Sequence, residues 1–363
     1  MTERAAWVEI DAGALRYNLR LVQQQAGKAR VYAVCKGHAY GFGAVMIARA
    51  AEAEGLWGVA VGDPADALAI RSAGVRSPIL IYASTEAAAL PGLARLDVIV
   101  TVHDLASLGA CLQSRQRFSI KLDCGFGRLG FREDEIDDVI EAIRRADHSL
   151  LHGLYAHMAD TEDDASIARQ VGKFKAMADG FEAAGIRPLE KMIASSRVLI
   201  AHPELCMDAI NPGRLIYGVL EPQWTGRLAV QPVLAAVKAR LIAVKRFQAG
   251  QRVGYSREPL SADAVLGVIP YGFADGYPRT PAGGSVLIRG SRVPLVGMRH
   301  TEHSIVDLSS LSNVAPGEEV VLLGRQGNDS ISLDELVRVT GITDLELVSR
   351  LARGPNRRMI NDR

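Results

Sequence analysis

The sequence predicts an α/β protein: a (β/α)8 barrel of the TIM type followed by a mainly β C-terminal domain. Three observations carry this reading. Short β-branched runs alternate with helical segments at a steady spacing through the first 220 or so residues, the pattern of repeated βα units. The runs number eight, enough to close a barrel. From about Val230 the rhythm changes to short alternating runs separated by Gly, Pro and Ser clusters.

The eight runs are Val31 to Cys35, Trp57 to Val61, Ile79 to Tyr82, Val98 to Thr101, Phe118 to Asp123, Leu150 to Tyr155, Met192 to Ala194 and Cys206 to Ile210. The helices between them are punctuated, as where Asp63 offers an N-cap, Pro64 takes the first helical position, Leu68 and other apolar residues follow, and Gly74 terminates. A doubly wound open sheet is the rival, but such sheets usually stop near six strands, and the Gly-rich phosphate fingerprint is missing after the first run. In the second half the runs Ala264 to Ile269, Val286 to Ile288, Val293 to Val296 and Val320 to Leu323 read as strands. One helix interrupts them, opening at Ser332 with Glu335 as a capping box and ending near Gly341. The domains expected are 1–225 and 226–363, with the first few residues free to join the β domain.

The 363 residues, 48% hydrophobic and 23% charged, suffice for a large core and two ordinary domains. A net charge of +1 gives no general reason to bind nucleic acid or an anionic membrane, so small molecules are the expected partners. Cys35, Cys111, Cys124 and Cys206 are scattered singly with no CxxC pair, which points to reduced thiols and a cytoplasmic location. No stretch approaches the roughly 18 apolar residues a membrane span needs, and no export or anchoring signal is visible.

Chemistry in a βα barrel sits where strands end. Lys36 stands there, after the first apolar run and before Gly-His-Ala-Tyr-Gly-Phe-Gly, which reads as a flexible loop. A lysine pointing into a barrel mouth has a pKa lowered by desolvation and can form a Schiff base; by position alone a strand-end lysine is more often a solvated residue. Arg128, after a Gly-rich turn, can grip a carboxylate with two prongs or serve as a surface arginine. Ser195-Ser196 opens a helical stretch, so Ser196 reads as an N-cap. Tyr255, between Gly254 and Ser256, reads as a turn residue. His300, Glu302 and His303 raise a metal site, but β spacing splits them between faces, and none is expected.

The segment Ala33-Val-Cys-Lys36-Gly-His-Ala-Tyr40-Gly-Phe-Gly43 resembles the cofactor-lysine segment of the alanine racemases, and the likeness recurs in order along nearly the whole chain. Lys121 to Phe131 is similar to the segment that supplies a substrate-carboxylate arginine, here Arg128, and Tyr155-Ala-His157 to the histidine strand. Asn211-Pro-Gly213-Arg214-Leu-Ile-Tyr217-Gly resembles the stretch that meets the cofactor ring and phosphate, and Val253-Gly-Tyr255 the segment bearing a second catalytic base. Gly272-Phe-Ala-Asp-Gly276 and Val296-Gly297 fit the family's β-domain motifs. The resemblance implies an isomerase that uses pyridoxal 5'-phosphate carried covalently on Lys36, with Tyr40, Ser196, Gly213 and Arg214 at phosphate positions and His157 and Asn211 nearby. It implies an amino-acid substrate, a homodimer in which Tyr255 of one subunit completes the site of the other, and a Lys121 of the kind often carbamylated to position Arg128.

The sequence also departs from the family. Asn211 stands where an arginine normally faces the pyridine nitrogen, which leaves ring protonation and reaction control open and admits a related lyase or aldolase acting on a D- or β-hydroxy amino acid. A non-catalytic cofactor carrier is a third reading, disfavoured because a carrier has no need of a β domain. Met298 to His303 replaces Arg-x-Cys/Ser-Met-Asp-Gln, placing Thr301 where a backbone N–H meets the substrate carboxylate and His300 at the pocket wall. Phe273 and Leu345 stand for two tyrosines that narrow the entrance. A wider pocket, and a best substrate other than alanine, is the expectation.

Overall fold

The computed structural model describes residues 4–82, 85–224, 226–255, 258–279 and 284–362. The chain forms two compact units, one of Arg16–Ala39 and Gly43–Gln231, the other of Met1–Leu15, Tyr40–Phe42 and Pro232–Arg363. The first strand, β1 (Ala6–Asp11), belongs to the second unit. The first unit is the expected barrel. Its strands are β2 (Arg30–Cys35), β3 (Gly58–Val61), β4 (Ile79–Ile81), β5 (Ile99–Val102), β6 (Phe118–Lys121), β7 (Leu151–Tyr155), β8 (Glu190–Ala194) and β9 (Ala209–Ile210), and they close in that order. All neighbouring pairs are parallel, including the closing pair of Val31 with Ile210. The last run is shorter than predicted: Cys206 caps the 3-10 turn Pro203–Leu205, its N–H donating to the Pro203 carbonyl at 3.1 Å, and the strand begins at Ala209.

Helix punctuation follows local chemistry. The Asp63 carboxylate accepts the Ala65 N–H at 2.8 Å, Pro64 opens the helix Pro64–Ser72, and Gly74 lies beyond it at φ 88°. Ala67 and Ile70 supply the buried face of that helix, whereas Leu68, expected to pack, is exposed.

Strand alternation fixes which side chains fill the barrel. Tyr32, Ala60, Leu80, Ile99, Tyr155, Met192 and Ala209 form one buried cluster drawn from seven of the eight strands. Fully burying side chains of this kind contributes roughly 1.5–3 kcal/mol for each large apolar one. Below this layer the interior is polar: the Tyr32 hydroxyl donates to Glu190 Oε1 at 2.7 Å, lies 3.0 Å from His152 Nε2, and accepts from Trp57 Nε1 at 3.2 Å, while Glu190 Oε2 faces the Arg30 guanidinium at 3.5 Å. That layer plugs the end of the barrel opposite Lys36.

The second unit is built on β10 (Leu234–Arg240), β11 (Ala243–Phe247), β12 (Ala264–Ile269), β13 (Ser285–Ile288), β14 (Ser291–Val296), β15 (Ser304–Asp307), β16 (Glu319–Gln326), β17 (Asp329–Ile331) and β18 (Arg357–Ile360). The strand path is β11-β12-β15-β14-β13-β16-β10-β1-β18, with β17 on β16. β1 runs antiparallel to β10 and parallel to β18. The helix Leu333–Thr340 begins as predicted, Ser332 Oγ accepting the Glu335 N–H at 3.1 Å, and ends at Gly341 with φ 68°. Only half of the capping box forms, since the Glu335 carboxylate takes the Arg292 guanidinium at 2.6 Å instead. All four cysteines are free. Among the described residues, no helix is long and apolar enough to cross a membrane.

Candidate active site

The period of two along β2 carries inward-facing Tyr32 through Val34 to Lys36, one residue past the strand end. On β7 the same count takes Tyr155 to His157, and on β6 Lys121 is the Cα partner of Tyr155 in the parallel ladder. Three strands therefore deliver Lys36, Lys121 and His157 to one mouth of the barrel. Arg128 reaches them from the loop after β6, where the Asp123 carboxylate accepts the N–H groups of Gly125 and Gly127 at 2.9 Å and holds the turn.

These groups lie close enough to perturb one another's charge. Burial lowers the Lys36 amine below its ordinary value, and the Arg128 charge lowers it further. The side chain is open to solvent on one side, yet protein crowds it on the others, so accessibility in this concave mouth does not bring full hydration. Lys121 is buried and pushed down to about 8, by desolvation first and then by Arg128 and Lys36. His157 is pushed down to about 4 by burial and by Lys36, Lys121 and Arg128. The mouth thus holds three cations that repel one another around a neutral imidazole. An anionic ligand would relieve that repulsion.

Aromatic rings line the same mouth. Lys36 Nζ lies 5.4 Å from the centre of the Tyr82 ring and Lys121 Nζ 5.6 Å from that of Tyr155, whose hydroxyl sits 2.8 Å from Thr101 Oγ1. Arg128 lies over Phe126 at 4.3 Å, and Phe126 meets the His157 ring at 5.3 Å. Tyr82, Thr101 and Phe126 escaped the sequence reading. Tyr82 carried a usable signal, since it ends the third run at a position equivalent to that of Lys36.

The segment after Lys36 is not the flexible loop expected. Gly37, His38, Ala39 and Tyr40 take φ of 59°, 61°, 55° and 50°, a left-handed turn that costs about 1–2 kcal/mol for each non-glycine residue. It is braced: His38 Nδ1 meets Asp66 Oδ1 at 2.7 Å, and Gly43 N–H donates to the His38 carbonyl at 3.0 Å.

At the predicted phosphate positions, Ser196 is buried and its Oγ accepts the Gly213 N–H at 2.9 Å, leaving the hydroxyl proton to donate elsewhere. Ser195, not Ser196, occupies the N-cap of the helix Ser196–Ala201, and it makes no side-chain cap bond. The Arg214 guanidinium lies 3.5 Å from Glu221. Asn211 is buried, its N–H donating to the Ala194 carbonyl at 3.1 Å. Tyr217, expected to pack, is buried and donates to the Val34 carbonyl at 2.7 Å.

In the second unit Tyr255 sits exposed on a turn after Gly254, with its ring centre 4.9 Å from that of His300 in an edge contact. Phe273 N–H donates to the His300 carbonyl at 3.0 Å and Ala274 N–H to that of Thr301 at 2.9 Å, so the segments 272–276 and 299–303 are locked together. Phe273 remains partly exposed under the Arg279 guanidinium, and Leu345 lies on the helix Asp344–Leu351.

A closed parallel barrel that gathers two lysines at its strand ends and an arginine from a neighbouring loop has the charge to receive an anionic ligand beside an amine. The family models for the N-terminal and C-terminal domains of alanine racemase match residues 10–221 and 234–359. The alanine racemase of Carboxydothermus hydrogenoformans is 31% identical over 360 residues, spanning 96% of this chain and 98% of that protein. That of Methanococcus maripaludis is 29% identical over 361 residues and spans 96% of each. The solved alanine racemase from Streptomyces coelicolor A3(2) superposes with a TM-score of 0.88 at 30% identity, covering 99% of this chain and 98% of that one. The chain belongs to the alanine racemase family. It is a pyridoxal-phosphate-dependent amino-acid racemase, an isomerase.

Proposed function

We propose that this enzyme inverts an amino acid larger or more polar than alanine, using Lys36 as one base and Tyr255 of the partner subunit as the other. The observation that supports it most is the cluster of Lys36, Lys121 and Arg128, an excess of positive charge around an amine whose own charge is disfavoured. Pyridoxal phosphate fits this donor set: Lys36 would carry it, and the Ser196 hydroxyl, the Arg214 backbone, the Tyr40 hydroxyl and the Gly213 N–H, once released from Ser196 Oγ, would hold its phosphate. When bound, the cofactor withdraws electrons from the α-carbon and so acidifies the α-hydrogen.

Arg128 would grip the substrate carboxylate, and buried Lys121, in the amine form favoured above about 8, would steady it without adding a full second charge. The Lys36 amine, held below its ordinary pKa, takes up a proton from one face of the α-carbon. The Tyr255 phenol serves the opposite face. His157 stays neutral beside the cations and orders the Phe126 and Arg128 side of the mouth. Asn211, an uncharged amide, leaves the cofactor's ring nitrogen without a cationic neighbour from that position.

The wider pocket is argued from Phe273, Leu345 and Thr301, where hydroxyls or a long thioether are lost, and from His300, where a polar ring is gained. One methylene or polar contact is worth roughly 1–3 kcal/mol in discrimination, so alanine is expected to remain a substrate but not the best one. Incubation with each L-amino acid in deuterium oxide, following α-proton loss and chirality, is the test. Exchange with inversion and a higher kcat/KM for serine or a longer polar amino acid than for alanine is the expected result. Alanine leading by a clear margin would overturn the pocket argument, and exchange without inversion, or cleavage products, would favour the lyase reading that Asn211 admits. Sharing of Tyr255 is tested by mixing inactive Lys36→Ala and Tyr255→Phe proteins. In a random mixture half the dimers hold one intact site, giving about a quarter of wild-type activity.

A further inference from the structure

We infer that His300 is a positioning residue for Tyr255: its imidazole, lodged in the gap left by Gly254, fixes the direction in which the phenol points. The inference rests on the reading of Tyr255 as a proton-transfer residue. A phenol that is 62% exposed on a turn has several rotamers open to it, whereas proton transfer needs placement within about 0.5 Å. The His300 ring, at 4.9 Å between centres and 71° between planes, limits that freedom from one side.

Three further observations indicate that His300 is itself held for this purpose. Its backbone is pinned in both directions, the N–H donating to the His303 carbonyl at 2.8 Å and the carbonyl accepting from Phe273 at 3.0 Å. Its Nε2 is shielded from solvent and has no hydrogen-bond partner among the described residues, an arrangement that costs about 1–3 kcal/mol and calls for a reason. The reason lies at Gly254, which has φ 56° and where a Cβ would stand 2.8 Å from Nε2 and 3.2 Å from Cε1. The residue next to Tyr255 is thus bare where the imidazole enters. Burial and the neighbouring His303 favour the neutral ring, so the contact adds no charge to the phenol's surroundings.

The experiment measures α-deuterium exchange separately from each hand of the substrate, along with kcat and KM, in the holoenzyme. Tyr255→Phe is expected to abolish exchange from one hand and leave the other. His300→Ala should lower exchange from that same hand about tenfold, leave the other within twofold, and reduce kcat with little change in KM. Gly254→Ala, which fills the gap, should give the same one-handed loss, and in the His300→Ala background it should cost much less, because the clash is gone. A His300→Ala protein that loses both hands equally or neither, or additive effects at 254 and 300, overturns the inference while leaving Tyr255 in its role. If Tyr255→Phe keeps exchange from both hands, the reading of Tyr255 and the inference fall together.

Discussion

In the barrel, Lys36 and His157 take their places from strand parity, two steps of two beyond Tyr32 and one beyond Tyr155, and Lys121 takes its place from its pairing with Tyr155. In the β unit, Tyr255, Phe273 and His300 stand on turns, held by close backbone approaches: a Cβ at Gly272 would meet the carbonyl of His300, that of Thr301 at 2.5 Å and the Glu302 nitrogen at 2.7 Å. The difference teaches that one enzyme uses two kinds of precision. The barrel's is collective, because eight strands share the alignment. The β unit's is local and rests on single glycines.

The largest way to test that contrast is Lys36→Ala, which should remove covalent cofactor and drop kcat by more than about 10³-fold while the barrel's far-UV spectrum stays unchanged. Borohydride reduction of the wild type followed by peptide mapping should place the label on Lys36; a label elsewhere ends the assignment. Next in size is Arg128→Ala, expected to cost about 10–100-fold in kcat/KM, mostly as a raised KM, from the loss of charge-assisted hydrogen bonds to a carboxylate. An unchanged KM would mean the carboxylate is held elsewhere. Gly272→Ala probes the β unit's local precision, and overpacking there should destabilise by about 1–3 kcal/mol, read as a lowered Tm with the barrel's ligand chemistry intact. Wild-type Tm would show the 272–276 turn to be looser than its contacts imply.

The smallest effect is expected at His157. Its folded-state pKa is about 4 against an ordinary 6.5, so between these values the unfolded chain binds more protons and stability rises with pH. The contribution is complete above 6.5 and is lost as pH falls toward 4. His157→Asn should flatten the Tm slope across that window, and an unchanged slope would assign the acid sensitivity to other groups.

The same contrast explains what the sequence disclosed. Eight β-branched runs sufficed for the barrel because buried parallel strands must be continuously apolar, and Lys36 was conspicuous as the charge that ends one. The run Cys206 to Ile210 was read too long, because Cys206 caps the preceding 3-10 turn and strand pairing begins at Ala209, neither of which leaves a mark in the residue pattern. The left-handed turn at residues 37–40 was invisible, since Ala39 and Tyr40 are not residues that favour positive φ. Likewise Glu335 satisfies the capping pattern, but a cross-strand arginine outcompetes the backbone for its carboxylate. The pairing of His300 with Tyr255 could not be read at all, as 45 residues separate them and only the folded turn brings them together.

β1, made before any barrel strand, pairs among the described residues with β10 and β18. At translation rates of about 5–20 residues per second, Trp7, Val8 and Ile10 wait roughly ten seconds to three-quarters of a minute for β10 to emerge from the ribosome. An apolar strand with both edges open is thus carried through the synthesis of the entire barrel, and mispairing is a hazard for as long as that wait lasts.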